Sequence, residues 1–139
     1  MKYKKFGQKI VLRIDRGEEI IEKLKELCKK EKILFATISG IGATNEVVIG
    51  FFEPVGRVYH SKKFLGNFEI ASAIGNITTM AGESYIHLHA TIGNSEHASF
   101  CGHLNSAIVS ATFEAIIDII DGGVYRAKDE STGLNIIDI

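Results

Sequence analysis

The chain has 139 residues, 45% of them hydrophobic and 24% charged, with 16 Lys plus Arg against 17 Asp plus Glu. That length reads as one domain, residues 1–139, able to bury roughly 70% of its unfolded surface without staples, and its apolar content excludes a disordered tail. The formal net charge of −1 argues against a surface that holds nucleic acid by neutralising phosphates, so small molecules, metal ions or protein surfaces are the expected partners.

The N-terminal Met1-Lys2-Tyr3-Lys4-Lys5-Phe6 is basic, but no apolar region follows, so no secretory signal is expected. The apolar stretch Ile108 to Ile120 is interrupted by Ser110, Thr112, Glu114 and Asp118 and falls short of the ~20 apolar residues of a membrane span. Cys28 and Cys101 lie far apart with no CxxC pairing. A disulfide framework is not expected, and the default compartment is the reducing cytoplasm.

In chain order, Lys9 to Ile14 predicts a strand with Ile10, Leu12 and Ile14 on one face. Asp15 offers an N-cap, and Glu18 follows three residues later as in a capping box. Ile20, Ile21, Leu24, Leu27 and Cys28 then mark one face of a helix over residues 17 to 31, whose charged face (Glu19, Glu22, Lys23, Lys25, Glu26, Lys29, Lys30) is solvated. Ile33 to Ser39 predicts a strand, with a turn at Gly40-Ile41-Gly42-Ala43. Val47 to Phe52 is apolar at both parities, as in a strand covered on both faces or at a subunit contact. Pro54 and Gly56 mark a turn, and Val58 to Phe64 with Phe68 to Ile74 predicts a hairpin around Gly66-Asn67. Glu83 to Ile92 and Ala107 to Ile119 predict two further strands, and Gly122-Gly123 turns the chain into Val124-Tyr125-Arg126. The fold class is α+β, one main helix on a largely antiparallel sheet.

Four of the five His fall between residues 87 and 103. In Glu83 to Ile92 the alternation puts Ile86, Leu88, Ala90 and Ile92 on one face and Glu83, Tyr85, His87, His89 and Thr91 on the other. Both imidazoles therefore point away from the core together, as a pair able to grip one ion. His103, in Cys101-Gly102-His103 after a turn through Gly93 to Ala98, is the candidate third ligand. Three His with an open fourth position is the pattern of a catalytic or exchangeable zinc site. His97, Cys101 and His60 are weaker candidates.

Gly82-Glu83, then His87-Leu88-His89-Ala90, then Gly102-His103-Leu104 and the long strand with Glu114 resemble the PPC domain, also called DUF296. Arg13, Gly17-Glu18-Glu19, Gly40-Ile41-Gly42-Ala43 and Gly66-Asn67-Phe68-Glu69-Ile70 fit the same pattern, over about residues 8 to 126. The resemblance implies a homotrimer, and it places His87, His89 and His103 at the metal ligands of metal-containing prokaryotic members. It also implies a fold similar to acetolactate decarboxylase, whose three-His zinc site includes an HxH pair. Plant members carry AT-hooks before the domain, and stand-alone members are labelled DNA-binding by that association. This chain has no Arg-Gly-Arg-Pro hook, and Cys101 stands where the family usually has Gly.

An enzyme would need an acid or base beside the metal. Glu69, Glu114 and Arg13 are the catalytic candidates; Glu83 shares the HxH face but lies about 13 Å along the strand from His87. The leading expectation is a trimeric metal-binding regulatory or interaction domain, tied to DNA through protein partners. One alternative is a metal-dependent lyase or hydrolase on a small carbonyl or carboxylate substrate, by fold analogy. Another is direct DNA binding through Lys2, Lys4, Lys5, Lys62 and Lys63.

Overall fold

Ile10, Leu12 and Ile14 are fully buried while the residues between them are exposed, as strict alternation requires of a strand covered on one side. They belong to β2 (Lys9–Asp15), which pairs antiparallel with β1 (Lys2–Phe6) in a computed structural model that describes all 139 residues. β1 carries no alternating pattern that would mark it as a strand, because only Tyr3 of its five residues is partly covered and three are Lys. A lysine-rich, single-partner edge strand is one way a sheet blunts its rim.

α1 (Ile20–Glu31) buries Ile20, Leu24, Leu27 and Cys28, the expected face. Its start differs from the expected one. Glu19 is the N-cap, its carboxylate accepting from the Glu22 N–H at 2.6 Å and, with its other oxygen, from the Ala107 N–H at 2.8 Å. Asp15 ends β2, and Gly17 at φ 84° and the extended Glu19 keep the chain out of helix until Ile20; the Asp15 carboxylate accepts from Arg13 Nε at 2.8 Å instead. Only the return half of the expected capping box forms, the Asp15 N–H donating to Glu18 Oε2 at 2.9 Å.

The next two elements are longer than periodicity suggested. β3 (Ala36–Glu53) runs straight through Gly40-Ile41-Gly42-Ala43, which is not a turn but a bulged stretch of strand. The glycines are there for close approach: a Cβ at Gly40 would lie 2.6 Å from the Phe113 ring, and one at Gly42 would run into the Thr112 carbonyl oxygen. β4 (Val58–Met80) is likewise one strand and not a hairpin. Glu46 pairs with Leu65 and Thr44 with Phe68, so Gly66-Asn67 is taken up as a bulge on a strand that never reverses. The expected turn at Pro54 to Gly56 does reverse the chain, and Ala81-Gly82, both at positive φ, joins β4 to β5 (Glu83–Gly93).

β6 (Ser99–Ile119) pairs with β2 and β3 along most of its length, and its first residues pair with β5. β5 also pairs with β4, and β4 with β3, so β3, β4, β5 and β6 form a closed circuit of antiparallel pairing. The core lies on one face of this sheet, under α1, around Leu12, Leu24, Leu27, Ile38, Leu88 and Phe113. A last hairpin, β7 (Tyr125–Lys128) and β8 (Asn135–Asp138), docks by a parallel bridge from Tyr125 to Thr79 of β4. No helix is long and apolar enough to cross a membrane. The class is α+β with one helix, as read from the sequence.

Candidate metal centre

The predicted sorting of β5 holds: Ile86, Leu88, Ala90 and Ile92 are buried, His87 is half-buried and His89 exposed on the opposite face. β6 supplies the third imidazole. His103 is the direct register partner of His89, while His87 faces Asn76 of β4. The strands meet closely here, and a Cβ at Gly75 would run into the His87 carbonyl oxygen.

Ligand nitrogens of His87, His89 and His103 all lie within 4.8 Å of one another. Tetrahedral coordination at a Zn–N distance of about 2.0–2.1 Å needs nitrogens about 3.4 Å apart, a closure within reach of side-chain rotation. The donor set also fits, since imidazole suits zinc, copper, iron and nickel. Burial, then the Arg126 guanidinium, then the two neighbouring imidazoles push the His87 pKa down to about 4. Burial, His89 and Arg126 lower His103 as well. Both stay neutral near pH 7, the form in which imidazole binds metal.

Two side chains flank the triad that no local pattern singles out. Arg126 of β7 crosses β4 to place Nη2 3.2 Å from His87 Nδ1. It is held by Thr78 Oγ1 at 2.9 Å, Asn76 Oδ1 at 2.9 Å and the Asn135 carbonyl at 2.7 Å, and it stacks 4.8 Å over the Tyr85 ring. Tyr59 meets the His103 ring edge-on at 6.4 Å and donates to Asn105 Oδ1 at 2.8 Å. Both arrive from distant strands, and only the sheet's closure brings them near the imidazoles.

The other candidates stand elsewhere. Glu69 and Glu114 line a shared open cleft of about 430 Å³ with Ile41, Ala71 and Thr112, and neither belongs to the ligand group. Arg13 pairs with Asp15 and is the register partner of Glu114. Glu83 sits at the start of β5 beside the charged face of α1. His60 is exposed near Glu53, His97 occupies the turn after β5 at φ 62°, and Cys101 is exposed opposite Thr91.

Residues 1–121 match the Plants and Prokaryotes Conserved (PCC) domain. The chain belongs to that family. A solved protein from Bacteroides thetaiotaomicron, described as a candidate DNA-binding protein, is 37% identical to this PCC domain with a TM-score of 0.95, over 99% of this chain and 96% of its own. A metal-containing protein from Archaeoglobus fulgidus is 30% identical with a TM-score of 0.89, over 100% of both chains. Acetolactate decarboxylase from Bacillus subtilis is 18% identical with a TM-score of 0.56, over 84% of this chain and 54% of the enzyme, a likeness of fold alone. Among proteins of curated function, none matches the chain. The resemblance read from the sequence thus holds, for the family and for the decarboxylase-like fold.

Proposed function

We propose that this PCC domain is a homotrimeric regulatory or interaction domain that carries one divalent ion per chain, zinc first, on His87, His89 and His103. The observation that carries the reading is the convergence of three imidazoles, two of them kept neutral by burial, on one sheet face. Three protein ligands leave room for an exchangeable fourth, which when bound would give Lewis acidity or a ligand-reporting position. That the A. fulgidus relative is described as metal-containing supports a metal on this chain.

Assembly is supported by apolar side chains on the sheet face away from the helix. Val11, Ile41 and Ile116, from β2, β3 and β6, share one shallow cleft and are 47%, 60% and 46% exposed, a patch that a partner surface would cover. A metal-dependent lyase or hydrolase is disfavoured, because Glu69 and Glu114 stand in a different cleft from the triad. Direct DNA binding is disfavoured too. Lys5 and Lys63 are paired with Glu31 and Glu46, and Lys62 lies over the Phe64 ring.

The test is cobalt substitution with sedimentation. The metal-free chain, loaded with one equivalent of Co²⁺, should show the intense visible bands of four-coordinate nitrogen-rich cobalt and should sediment as a trimer. A pale, six-coordinate spectrum overturns the metal assignment, and a monomer overturns the assembly. Salt-sensitive retardation of duplex DNA at micromolar protein would instead favour direct binding.

A further inference from the structure

Arg126 occupies the place beside His87 where a metal-bound histidine usually has a carboxylate, a carbonyl or water. A guanidinium only donates hydrogen bonds. With Arg126 Nη2 3.2 Å from His87 Nδ1, Nδ1 must accept, and the single proton of the neutral ring sits on Nε2. Neither nitrogen is then free for a metal. Binding through Nδ1 would displace the guanidinium. Binding through Nε2 would move the ring proton to Nδ1, where it would face a second donor. The Arg126–His87 hydrogen bond and metal ligation by His87 therefore exclude one another, and the fixed positive charge of Arg126 adds repulsion towards a dication.

Arg126 comes from β7, beyond the matched family span of residues 1–121, although the two solved relatives cover it. Its other contacts brace the hairpin and hold it down: Nη1 to the Asn135 carbonyl ties β7 to β8, and Nε and Nη2 reach Thr78 and Asn76 on β4. The hairpin otherwise joins the rest of the chain by one β-bridge, the Thr79 N–H to Val124 carbonyl bond of 2.9 Å and the Arg57 Nη2 to Ser131 carbonyl bond of 2.6 Å. We propose that the β7–β8 hairpin is a built-in competitor for the metal site: Arg126 holds His87 in the non-ligating tautomer, and metal capture releases it from the imidazole and loosens the hairpin. The inference rests on the three-His reading and concerns its regulation.

Zn²⁺ affinity is measured by chelator competition on the full chain and on Arg126→Gln and Arg126→Met. Removing a charge-assisted hydrogen bond to His87 should tighten Zn²⁺ binding about tenfold or more in both. Unchanged or weaker binding in two folded variants overturns the proposal while leaving the three-His site standing. Absence of binding in every protein, with no loss in His variants to observe, overturns both. The wild-type chain gives a readout that needs no variant. Its metal-free ¹⁵N imidazole spectrum should show His87 protonated on Nε2, and Zn²⁺ should accelerate amide exchange in residues 124–128. A proton on Nδ1, or exchange indifferent to Zn²⁺, overturns the competition.

Discussion

His89 of β5 and His103 of β6 are direct register partners, with ring centroids 5.7 Å apart and planes nearly perpendicular at 89°. Their strands pair over only five register positions, His89 to Gly93 with Ser99 to His103. An ion held by both rings therefore fastens the shortest seam of the β3–β4–β5–β6 circuit. A ligand that binds only the native chain stabilises it by mass action, about 2.7 kcal/mol at a hundredfold excess over Kd. Zn²⁺ should raise the Tm of the wild-type chain by several degrees, a chelator should reverse the rise, and His103→Ala should show none. An equal rise in that variant would mean the ion sits elsewhere.

Acid should weaken the metal-free chain in a defined window. His87 takes its proton near 6.5 when unfolded but only near pH 4 when folded. Between those values protons bind the unfolded chain first, so the contribution is fully present above about pH 6.5 and is lost as pH falls towards 4. His103 shifts in the same direction. Thermal unfolding from pH 7.5 to 4.5 should show a shallower loss for His87→Gln than for wild type. Parallel curves would count against a neutral His87 held so by burial.

Gly75→Ala should damage the site from beneath. The added methyl meets the His87 carbonyl where β4 and β5 approach, and overpacking against backbone costs on the order of 3 kcal/mol. Denaturant unfolding should report that loss together with weakened metal binding. A stable variant with intact binding would show that the strands can part freely there.

The two thiols should behave oppositely. Burial pushes the Cys28 thiol up to about 12, whereas Cys101 is exposed. A thiol reagent should label one Cys rapidly in the native chain, none in Cys101→Ser, and both after unfolding. Cys101→Ser should also leave Zn²⁺ affinity unchanged, since Cys101 lies outside the ligand group. A tenfold loss would make it a ligand.

Glu19→Ala should cost about 1–2 kcal/mol by the loss of the N-cap and of the Ala107 N–H acceptor. Equilibrium unfolding checks it, and a change near zero would mean that water replaces both bonds.

The features visible in the sequence share a physical cause. One-sided burial imprints alternation, so β2, β5 and the half of β6 after Ala107 stood out, as did the apolar stripe of α1. The same alternation turned His87 and His89 to one face. Where glycines serve close packing instead of turning, local reading misled: Gly40 and Gly42 make room for Phe113 and Thr112, and Gly66 sits in a bulge. The helix starts later than the Asp15–Glu18 pattern suggests because Gly17 at φ 84° and the extended Glu19 hold the chain out of helix until Ile20. Arg126 and Tyr59 left no trace, because they reach the triad across strands remote in sequence.

The three-His centre is tested most directly by zinc stoichiometry, through calorimetric titration of the metal-free chain and of His87→Ala, His89→Ala and His103→Ala. One Zn²⁺ should bind per wild-type chain, with a loss of at least a hundredfold in affinity in each variant that remains folded. Stoichiometric binding that survives all three substitutions, or no binding by the wild-type chain, would contradict the three-His centre.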